Sequence, residues 1–348
     1  MGDAKKKNIW VIVLILLIGL TLYAIVGNNE SFTFEGFVNY VKAASEKWIF
    51  LAFLCMMGFF VFEGLALKVL CNAFGYKRST KKCIVYSSSD IYFSAITPSA
   101  TGGQPVSAYF MMKDKIPGAV TTIILLVNLT LYTISIIVIG IVCFVTRPTF
   151  ITNFSVISKI MIIIGVCVQF VLLILFILLV YKEKIITKSA NAILKLLHKI
   201  HLVHSVEDKQ ARLKNVEAQY KECALAIGSH KKQIFVAFIF NLLQRLSLIM
   251  VSVCVFIAVG GSTHKIFDAF VAQGLVVIGS NSVPIPGAVG AADYLFIDGF
   301  GSLVKDSISI ELLSRGISFY CCIIICGIIT LIAYLLQSVK GMKQKKKC

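Results

Sequence analysis

Six ionisable residues lie within otherwise apolar stretches of the sequence: Glu63, Lys68, Asp90, Arg245, Asp293 and Arg315. A charge at the centre of a bilayer costs about 2.5–3.5 kcal/mol by insertion scales, so each needs a partner or a function. Arginine binds a phosphate through two parallel N–H bonds or pairs with a carboxylate, so Arg245 and Arg315 could clamp a phosphate or pair with Asp90 and Asp293. We expect Glu63 and Asp90 to form ion pairs or to act in gating, and Lys68 to snorkel to the inner interface.

Two apolar intervals contain clusters of helix-breaking residues. The interval 83–112 is broken by Pro98, Gly102, Gly103 and Pro105, and the interval 266–301 by Pro284, Pro286, Gly287 and Gly290. Each half of the first interval is long enough to span only about half a bilayer as a helix. A segment of this kind enters and leaves on one face. The sequence therefore predicts two re-entrant helical hairpins.

The breaks in these hairpins have a chemical use. A half-helix that begins at Gln104, and another that begins near Val289, would place unpaired N–H groups and a partial positive charge inside the membrane, which suits a phosphate. Glycines allow a headgroup to approach the backbone closely. The alternative, that the breakers only kink packed helices, remains open. The residues expected to bind a substrate are Pro98, Thr101, Gly102, Gly103, Gln104, Arg245, Pro286, Gly287, Gly290, Asp293 and Arg315.

The composition places these residues in a membrane protein. Hydrophobic residues make up 58% of the 348 residues, charged residues 15%, and the mean hydropathy is +0.87. A soluble domain carries about 25% charged residues. We predict an all-α polytopic protein with six transmembrane helices over 8–27, 48–74, 118–145, 159–181, 233–259 and 309–337.

The distribution of basic residues predicts the orientation. With a cytoplasmic amino terminus, twenty-five of the 34 Lys and Arg residues fall on the cytoplasmic side and six fall on the other side. By the positive-inside rule, both termini are then cytoplasmic and the protein lies in a cell membrane. A nucleic-acid partner is disfavoured because no basic stripe with interleaved aromatic residues stands apart from the membrane flanks.

The order of spans and hairpins predicts an inverted repeat. Residues 48–145 place the hairpin 83–112 between an inward and an outward span, and residues 233–337 place the hairpin 266–301 between an outward and an inward one. Such repeats with broken helices indicate a transporter whose site lies at the midplane. The basic segment 182–232 between them is expected to include an amphipathic helix on the inner surface. Its histidines do not share a face, so no metal is expected, and no cofactor either.

Three motifs resemble a known family. The runs TPSATGGQPVSAYFMM at 97–112 and PIPGAVGAADYLF at 284–296, followed by Arg315, are similar to the transmembrane flippase-like domain of the lysylphosphatidylglycerol synthases, the multiple peptide resistance factors. The resemblance extends from about residue 8 to residue 337. The chain departs from the family pattern at three positions. Gln104 stands where an acid is common, Ser107 near a usual arginine, and Asp293 in place of Glu.

The resemblance implies a function and a site. It implies transfer of an anionic or aminoacylated phospholipid, such as phosphatidylglycerol or its lysyl form, between the leaflets of a bacterial membrane. It assigns Pro98, Gly102, Gly103 and Gln104 to the first motif, and Pro286, Gly287, Gly290, Asp293 and Arg315 to the second. The soluble synthase domain does not occur in the sequence, so we expect a transporter and not an enzyme. Expected partners are membrane phospholipids, with a separate synthase protein and a second copy of the chain as further candidates.

Other functions remain open from the residues alone. A membrane-embedded enzyme acting on a lipid phosphate, including a phosphatidylglycerol lysyltransferase, would use Asp90 or Asp293 as a base and the arginines as clamps. A transporter of polyprenyl phosphate would use the same paired hairpins. A small-anion transporter would couple to protons through the same carboxylates.

Overall fold

The structure, a computed structural model, describes residues 34–97, 100–181 and 227–345. In these ranges it is helical and contains no strand, which confirms the predicted all-α class. The predicted first span 8–27 lies outside the described residues, as do Pro98 and most of the basic segment 182–232. In chain order the helices are α1 (Phe34–Ala43), α2 (Glu46–Ala73), α3 (Thr80–Ile96), α4 (Gly103–Lys113), α5 (Gly118–Thr146), α6 (Val156–Tyr181), α7 (Lys231–Ala258), α8 (Ile266–Ser280), α9 (Ala291–Gly301), α10 (Ser307–Arg315) and α11 (Cys322–Lys345).

Five of the predicted spans correspond to helices that are long and apolar enough to cross a membrane. They are Glu46–Ala73, Gly118–Thr146, Val156–Val180, Ile227–Ala258 and Ser307–Gln337. The last span is not uniform, because a π-helical segment over Gly316–Cys321 joins α10 to α11. This wider turn directly follows Arg315, and π segments inside helices often occur at functional sites.

The centre of the fold is an antiparallel pair formed by α2 and α7. At one end the Ser45 amide donates to the Ala258 carbonyl over 2.8 Å. In the middle Gly58 faces the Ser247 side chain, and at the other end the rings of Phe74 and His230 meet. The two helices therefore run in opposite directions along their whole length. This is the arrangement expected for the first span of each half of an inverted repeat.

Two helical hairpins form at the predicted breaks, α3–α4 and α8–α9. Helix α3 packs on α2, its own preceding span, and on α11 from the other half. Helix α8 packs on α7, its own preceding span, and on α5 from the other half. Each of these contacts in one half therefore has an equivalent in the other half, as expected for an inverted repeat. Helix α6 packs beside α5 and α8, and its remaining surface is largely exposed and apolar.

The ends of the two hairpins meet. Ile96, at the end of α3, is buried together with Val289 from the turn between α8 and α9. Tyr92 and Phe93 pack against this contact, and α3 also touches the 3-10 turn Pro286–Ala288. The structure thus brings together the two breaker clusters, which lie about 190 residues apart in the sequence.

One helix was not predicted. Helix α1 covers Phe34–Ala43, ten residues between the first predicted span and α2, and it contacts α10. It is too short to cross a membrane, so a search for spans misses it. Its apolar residues Phe37, Tyr40 and Val41 follow the i, i+3, i+4 spacing of an amphipathic helix, which is the signal that could have identified it.

Candidate functional site

In the first hairpin, Asp90 lies against the first turn of α4. Its carboxylate accepts hydrogen bonds from Gln104 Nε2 at 2.6 Å and from the Ser94 hydroxyl at 3.1 Å. A Cβ atom at Gly103 would overlap both the Asp90 carboxylate and the Ser94 hydroxyl. Glycine is therefore required at this position so that α3 and α4 can approach this closely. Asp90 is only 6% exposed.

The turn of the first hairpin is held by side-chain hydroxyls. The Gly102 amide donates to Thr97 Oγ1 at 2.9 Å, and Thr97 Oγ1 donates to the Phe93 carbonyl at 2.6 Å. Ala100 adopts a left-handed φ of 53°, which costs strain in any residue with a Cβ. Thr101 is exposed on this turn.

Glu63 of α2 faces Asp90. The charges of Asp90 and of the Arg245 guanidinium both act on Glu63 electrostatically. Gln244 Nε2 also donates to Glu63 Oε2 at 2.8 Å. Glu63 therefore joins the first hairpin to α7. Lys68 lies on the same helix but donates instead to Thr80 at the start of α3, at 2.9 Å.

Arg245 is held mainly by aromatic rings. Its guanidinium carbon lies 4.2 Å from the ring centroid of Tyr132 and 5.1 Å from that of Phe59. Its Nε is buried without a hydrogen-bond partner among the described residues. Within that part of the chain no ion pair joins Arg245 to Asp90, one of the two partners that the sequence left open. Its planar group is therefore oriented by stacking, and its Nε–H remains available as a hydrogen-bond donor.

Tyr132 connects Arg245 to the second hairpin. Its ring stacks on the guanidinium, and its hydroxyl donates to Asn281 Oδ1 at 2.7 Å. Asn281 directly follows α8, at the start of the second turn. Neither Tyr132 nor Asn281 was identified from the sequence, because each is a common residue type in an apolar helix or a turn and only the fold places them together.

In the second hairpin, Asp293 lies in the first turn of α9 and is 2% exposed. Its Oδ2 accepts the Gly290 amide at 2.7 Å, and its Oδ1 lies 2.7 Å from Arg315 Nη1. This ion pair was one of the two roles that the sequence left open for Arg315. Gly290 has a φ of 82°, which a residue with a Cβ rarely adopts.

Arg315 also holds the turn of the second hairpin. Its Nη2 donates to the Gly287 carbonyl at 2.8 Å, and its guanidinium carbon lies 4.9 Å from the ring centroid of Phe319. The same ring packs on Gly287, where a Cβ would overlap it and where φ is +60°. Pro286 starts this 3-10 turn. The second turn is therefore held by α10 and by the π segment that follows.

Glu311 is a site residue that sequence reasoning missed. It is 2% exposed, and the charges of Asp293 and Arg315 both act on it electrostatically. Its Oε2 has no hydrogen-bond partner among the described residues. The available signal was the spacing of Glu311 and Arg315, four residues apart on one helical face.

Neither half-helix N-terminus is open to a phosphate alone. Helix α4 begins at Gly103 and α9 at Ala291, close to the predicted starts at Gln104 and near Val289. Each first turn already faces a carboxylate of the chain, Asp90 in one and Asp293 in the other. Phosphate binding at these termini therefore stays a prediction.

The site combines two similar groups of charges. One contains Glu63, Asp90 and Arg245, and the other contains Asp293, Glu311 and Arg315. Four buried carboxyl groups thus accompany two guanidinium groups. In the described ranges no group of three or more His, Cys, Asp or Glu side chains is placed to hold a metal ion.

The comparison with known families agrees with this architecture. The model of the family described as "Lysylphosphatidylglycerol synthase TM region" matches residues 9–326, nearly the whole chain. A search of curated proteins finds no match. The matched range includes both hairpins, Glu63, Arg245 and Arg315. With its apolar spans, it makes this chain a multi-pass membrane protein that belongs to the lysylphosphatidylglycerol synthase transmembrane-region family.

Proposed function

We propose that this protein moves an aminoacylated or anionic phospholipid, of the lysylphosphatidylglycerol or phosphatidylglycerol type, between the leaflets of a membrane. The observation that carries the proposal is the meeting of two hairpin turns beside buried groups of both charges. Buried charges in a membrane are costly and usually serve a substrate path. The family description names a lysylphosphatidylglycerol synthase, which supports a lipid of this type as the substrate.

The two guanidinium groups suit the lipid phosphate. Arg245 has a buried Nε without a partner among the described residues and is oriented by Tyr132, so it is prepared to donate. Arg315 is already paired with Asp293 and would exchange part of that pairing for a phosphate. In this arrangement Arg245 provides the first contact and Arg315 the second.

The excess of carboxyl groups favours a headgroup that carries amines. Four buried carboxyls against two guanidinium groups would accommodate the ammonium groups of a lysyl ester beside its phosphate. Phosphatidylglycerol offers no cation to these carboxyls. The aminoacylated lipid is therefore the better substrate in this proposal.

The orientation of the hairpins explains access from both leaflets. With both termini in the cytoplasm of a bacterial cell, the first hairpin enters from inside and the second from outside. Alternate opening at the two turns would expose the headgroup site to one side at a time. The alternative is an embedded enzyme with Asp90 or Asp293 as its general base, and it is separated from a transporter by the lipid chemistry that each predicts.

The proposal is tested in proteoliposomes that contain lysylphosphatidylglycerol, with an amine reagent that cannot cross the bilayer. We expect wild-type protein to expose inner-leaflet lipid to the reagent. Arg245→Ala and Arg315→Ala should slow the exposure, and Arg→Lys variants should restore it only in part, because lysine lacks the planar fork. Arg147→Ala is the matched control, since Arg147 is half exposed and pairs with Asp268 away from the hairpin turns.

Two outcomes would contradict this function. Wild-type protein that exposes no more lipid than protein-free vesicles would exclude transfer of this lipid. Mass spectrometry of the same vesicles tests the enzyme alternative, because a transporter leaves the headgroup chemistry unchanged. A new lipid species that disappears in Asp293→Asn would make the protein an enzyme.

A further inference from the structure

Each half of the site contains a pair of buried carboxyl groups. Glu63 and Asp90 form the first carboxyl pair, bound by the amides of Gln244 and Gln104, and Asp293 and Glu311 form the second, in which Arg315 is ion-paired with Asp293. All four residues are at most 6% exposed. One arginine lies beside each pair, Arg245 beside the first and Arg315 beside the second.

Burial gives such a pair a reason to hold a proton. An ionised carboxylate buried without a counter-charge is so costly that the group takes up a proton instead. Two ionised carboxylates beside a single arginine would also repel each other in a medium of low dielectric constant. With one proton, each carboxyl pair has a charge of −1, which its arginine balances. The empty site is then neutral in both halves.

Among the described residues, no other charged group balances the pairs. The charged groups that act on Glu63 are Asp90 and Arg245, and those that act on Glu311 are Asp293 and Arg315. The other groups facing the pairs are neutral amides, hydroxyls, thiols and a backbone amide, from Gln104, Ser94, Gln244, Tyr132, Cys322, Cys326 and Gly290. Within the described part of the chain, a second negative charge on a pair would therefore lack a cation.

We propose that the two carboxyl pairs exchange their protons for the ammonium groups of the lipid headgroup, so that lipid transfer is coupled to proton movement in the opposite direction. This inference rests on the proposed function. When an ammonium group enters, the carboxyl O–H bond breaks, the proton passes to water, and the new carboxylate accepts an N–H bond from the ammonium. The charge of each half stays neutral before and after the exchange. Phosphatidylglycerol, which has no amine, displaces no proton.

The exchange fixes the direction of transfer. Protons move from the acidic to the alkaline side, so the aminoacylated lipid moves to the leaflet that faces the acidic side. With one proton from each pair, two per lipid, a gradient of one pH unit corresponds to about 2.7 kcal/mol and sustains about a hundredfold leaflet ratio. In a cell with an acidic exterior, lipid made on the inner leaflet would be driven outward.

The test uses proteoliposomes of the full chain with a trapped pH dye and an imposed pH gradient. Lysylphosphatidylglycerol should reach the leaflet on the acidic side several times faster than in protein-free vesicles, and the gradient should dissipate as it moves. With phosphatidylglycerol, the dye should report no protein-dependent proton movement. Glu311→Gln removes a proton carrier and should lower the proton movement per lipid transferred. Glu46→Gln is the matched control, because Glu46 is exposed at the start of α2.

The outcomes separate this inference from the proposed function. Absence of any protein-dependent lipid transfer would remove the function itself. Transfer of the lysyl lipid that continues with no proton movement would leave the function standing and overturn the coupling. The same proton movement per lipid in Glu311→Gln as in wild type would overturn the assignment to the second carboxyl pair. Circular dichroism and elution volume establish that each variant is folded.

Discussion

The two hairpins share a layout and differ in what holds their aspartate. In the first hairpin, Asp90 is bound by the amide of Gln104 and the hydroxyl of Ser94, both groups without a positive charge. In the second hairpin, Asp293 is bound by the guanidinium of Arg315, at 2.7 Å. The first aspartate is therefore held by a network of neutral donors and the second by an ion pair.

This difference assigns distinct tasks to the two hairpins. Removing one member of a buried ion pair leaves an unbalanced charge, whereas a network of neutral donors can lose one bond and keep the others. The turn of the second hairpin is also bound to α10 through Arg315 and packed on Phe319. The first hairpin is thus the one whose charge changes at lower cost, and the second is the one whose turn is fixed more firmly.

The largest expected effect is that of Arg315→Ala on stability. The substitution leaves Asp293 and Glu311 buried without their cation, so the free energy of unfolding should fall by about 3–5 kcal/mol. Arg245→Ala should cost clearly less, because the first carboxyl pair can keep its proton. Thermal unfolding in detergent measures both. Equal losses in the two variants would show that the hairpins do not differ in this respect.

A double-mutant cycle tests the origin of that loss. Asp293→Asn in the Arg315→Ala background removes one of the unbalanced acids, so the double variant should be more stable than the sum of the single losses predicts. Additive losses would mean that the ion pair contributes nothing of its own.

Gly287→Ala should be the next most damaging change. The new methyl group would overlap the Phe319 ring at a φ of +60°, so crowding and backbone strain together should cost about 2–4 kcal/mol. Gly75→Ala is the matched control: Gly75 has a φ of +83°, with no atom within 4 Å of the added Cβ. It reports the backbone strain alone. A similar loss of unfolding free energy in both variants would show that packing on Phe319 does not hold the second turn.

Much of the fold could be predicted from the sequence because it depends on patterns of single segments. Apolar length locates the spans, and proline and glycine locate the hairpin turns to within a few residues. The start of α4 at Gly103 and the helical form of 233–259 follow from these patterns. Helix α1 shows the limit, since a short amphipathic helix has no span-length signal.

The sequence indicated which residue types form the site, but it did not predict which of those residues contact each other. Asp293, Arg315, Asp90 and Gln104 stand out as polar residues in apolar or broken segments. Which acid meets which arginine depends on how α2, α7 and α10 pack against the hairpins, and no local pattern encodes that. Tyr132 and Asn281, whose bond joins α5 to the second turn, contact each other across 149 residues of chain.

Paired Asp→Asn substitutions sharpen the contrast between the hairpins. Asp293→Asn removes the negative charge from the buried ion pair with Arg315 and should cost about 1.5–3 kcal/mol of unfolding free energy. Asp90→Asn should cost less than about 1 kcal/mol, because the new asparagine side chain can still accept a hydrogen bond from Gln104 and can donate one to Glu63. Chemical denaturation of both variants in one detergent measures the difference. A larger loss in Asp90→Asn would reverse the assignment of the fixed and the changeable hairpin.

The smallest effect is expected at the bond that joins the two groups of charges. Tyr132→Phe removes the hydroxyl that donates to Asn281 and keeps the ring that stacks on Arg245. The loss of one neutral hydrogen bond should lower the unfolding free energy by about 0.5–1.5 kcal/mol. Tyr132→Leu also removes the ring, so it should reduce lipid transfer as Arg245→Ala does, whereas Tyr132→Phe should reduce it only slightly. Transfer that is lost equally in both variants would show that the contact between Tyr132 and the second turn, and not the stacking on Arg245, is what lipid transfer requires.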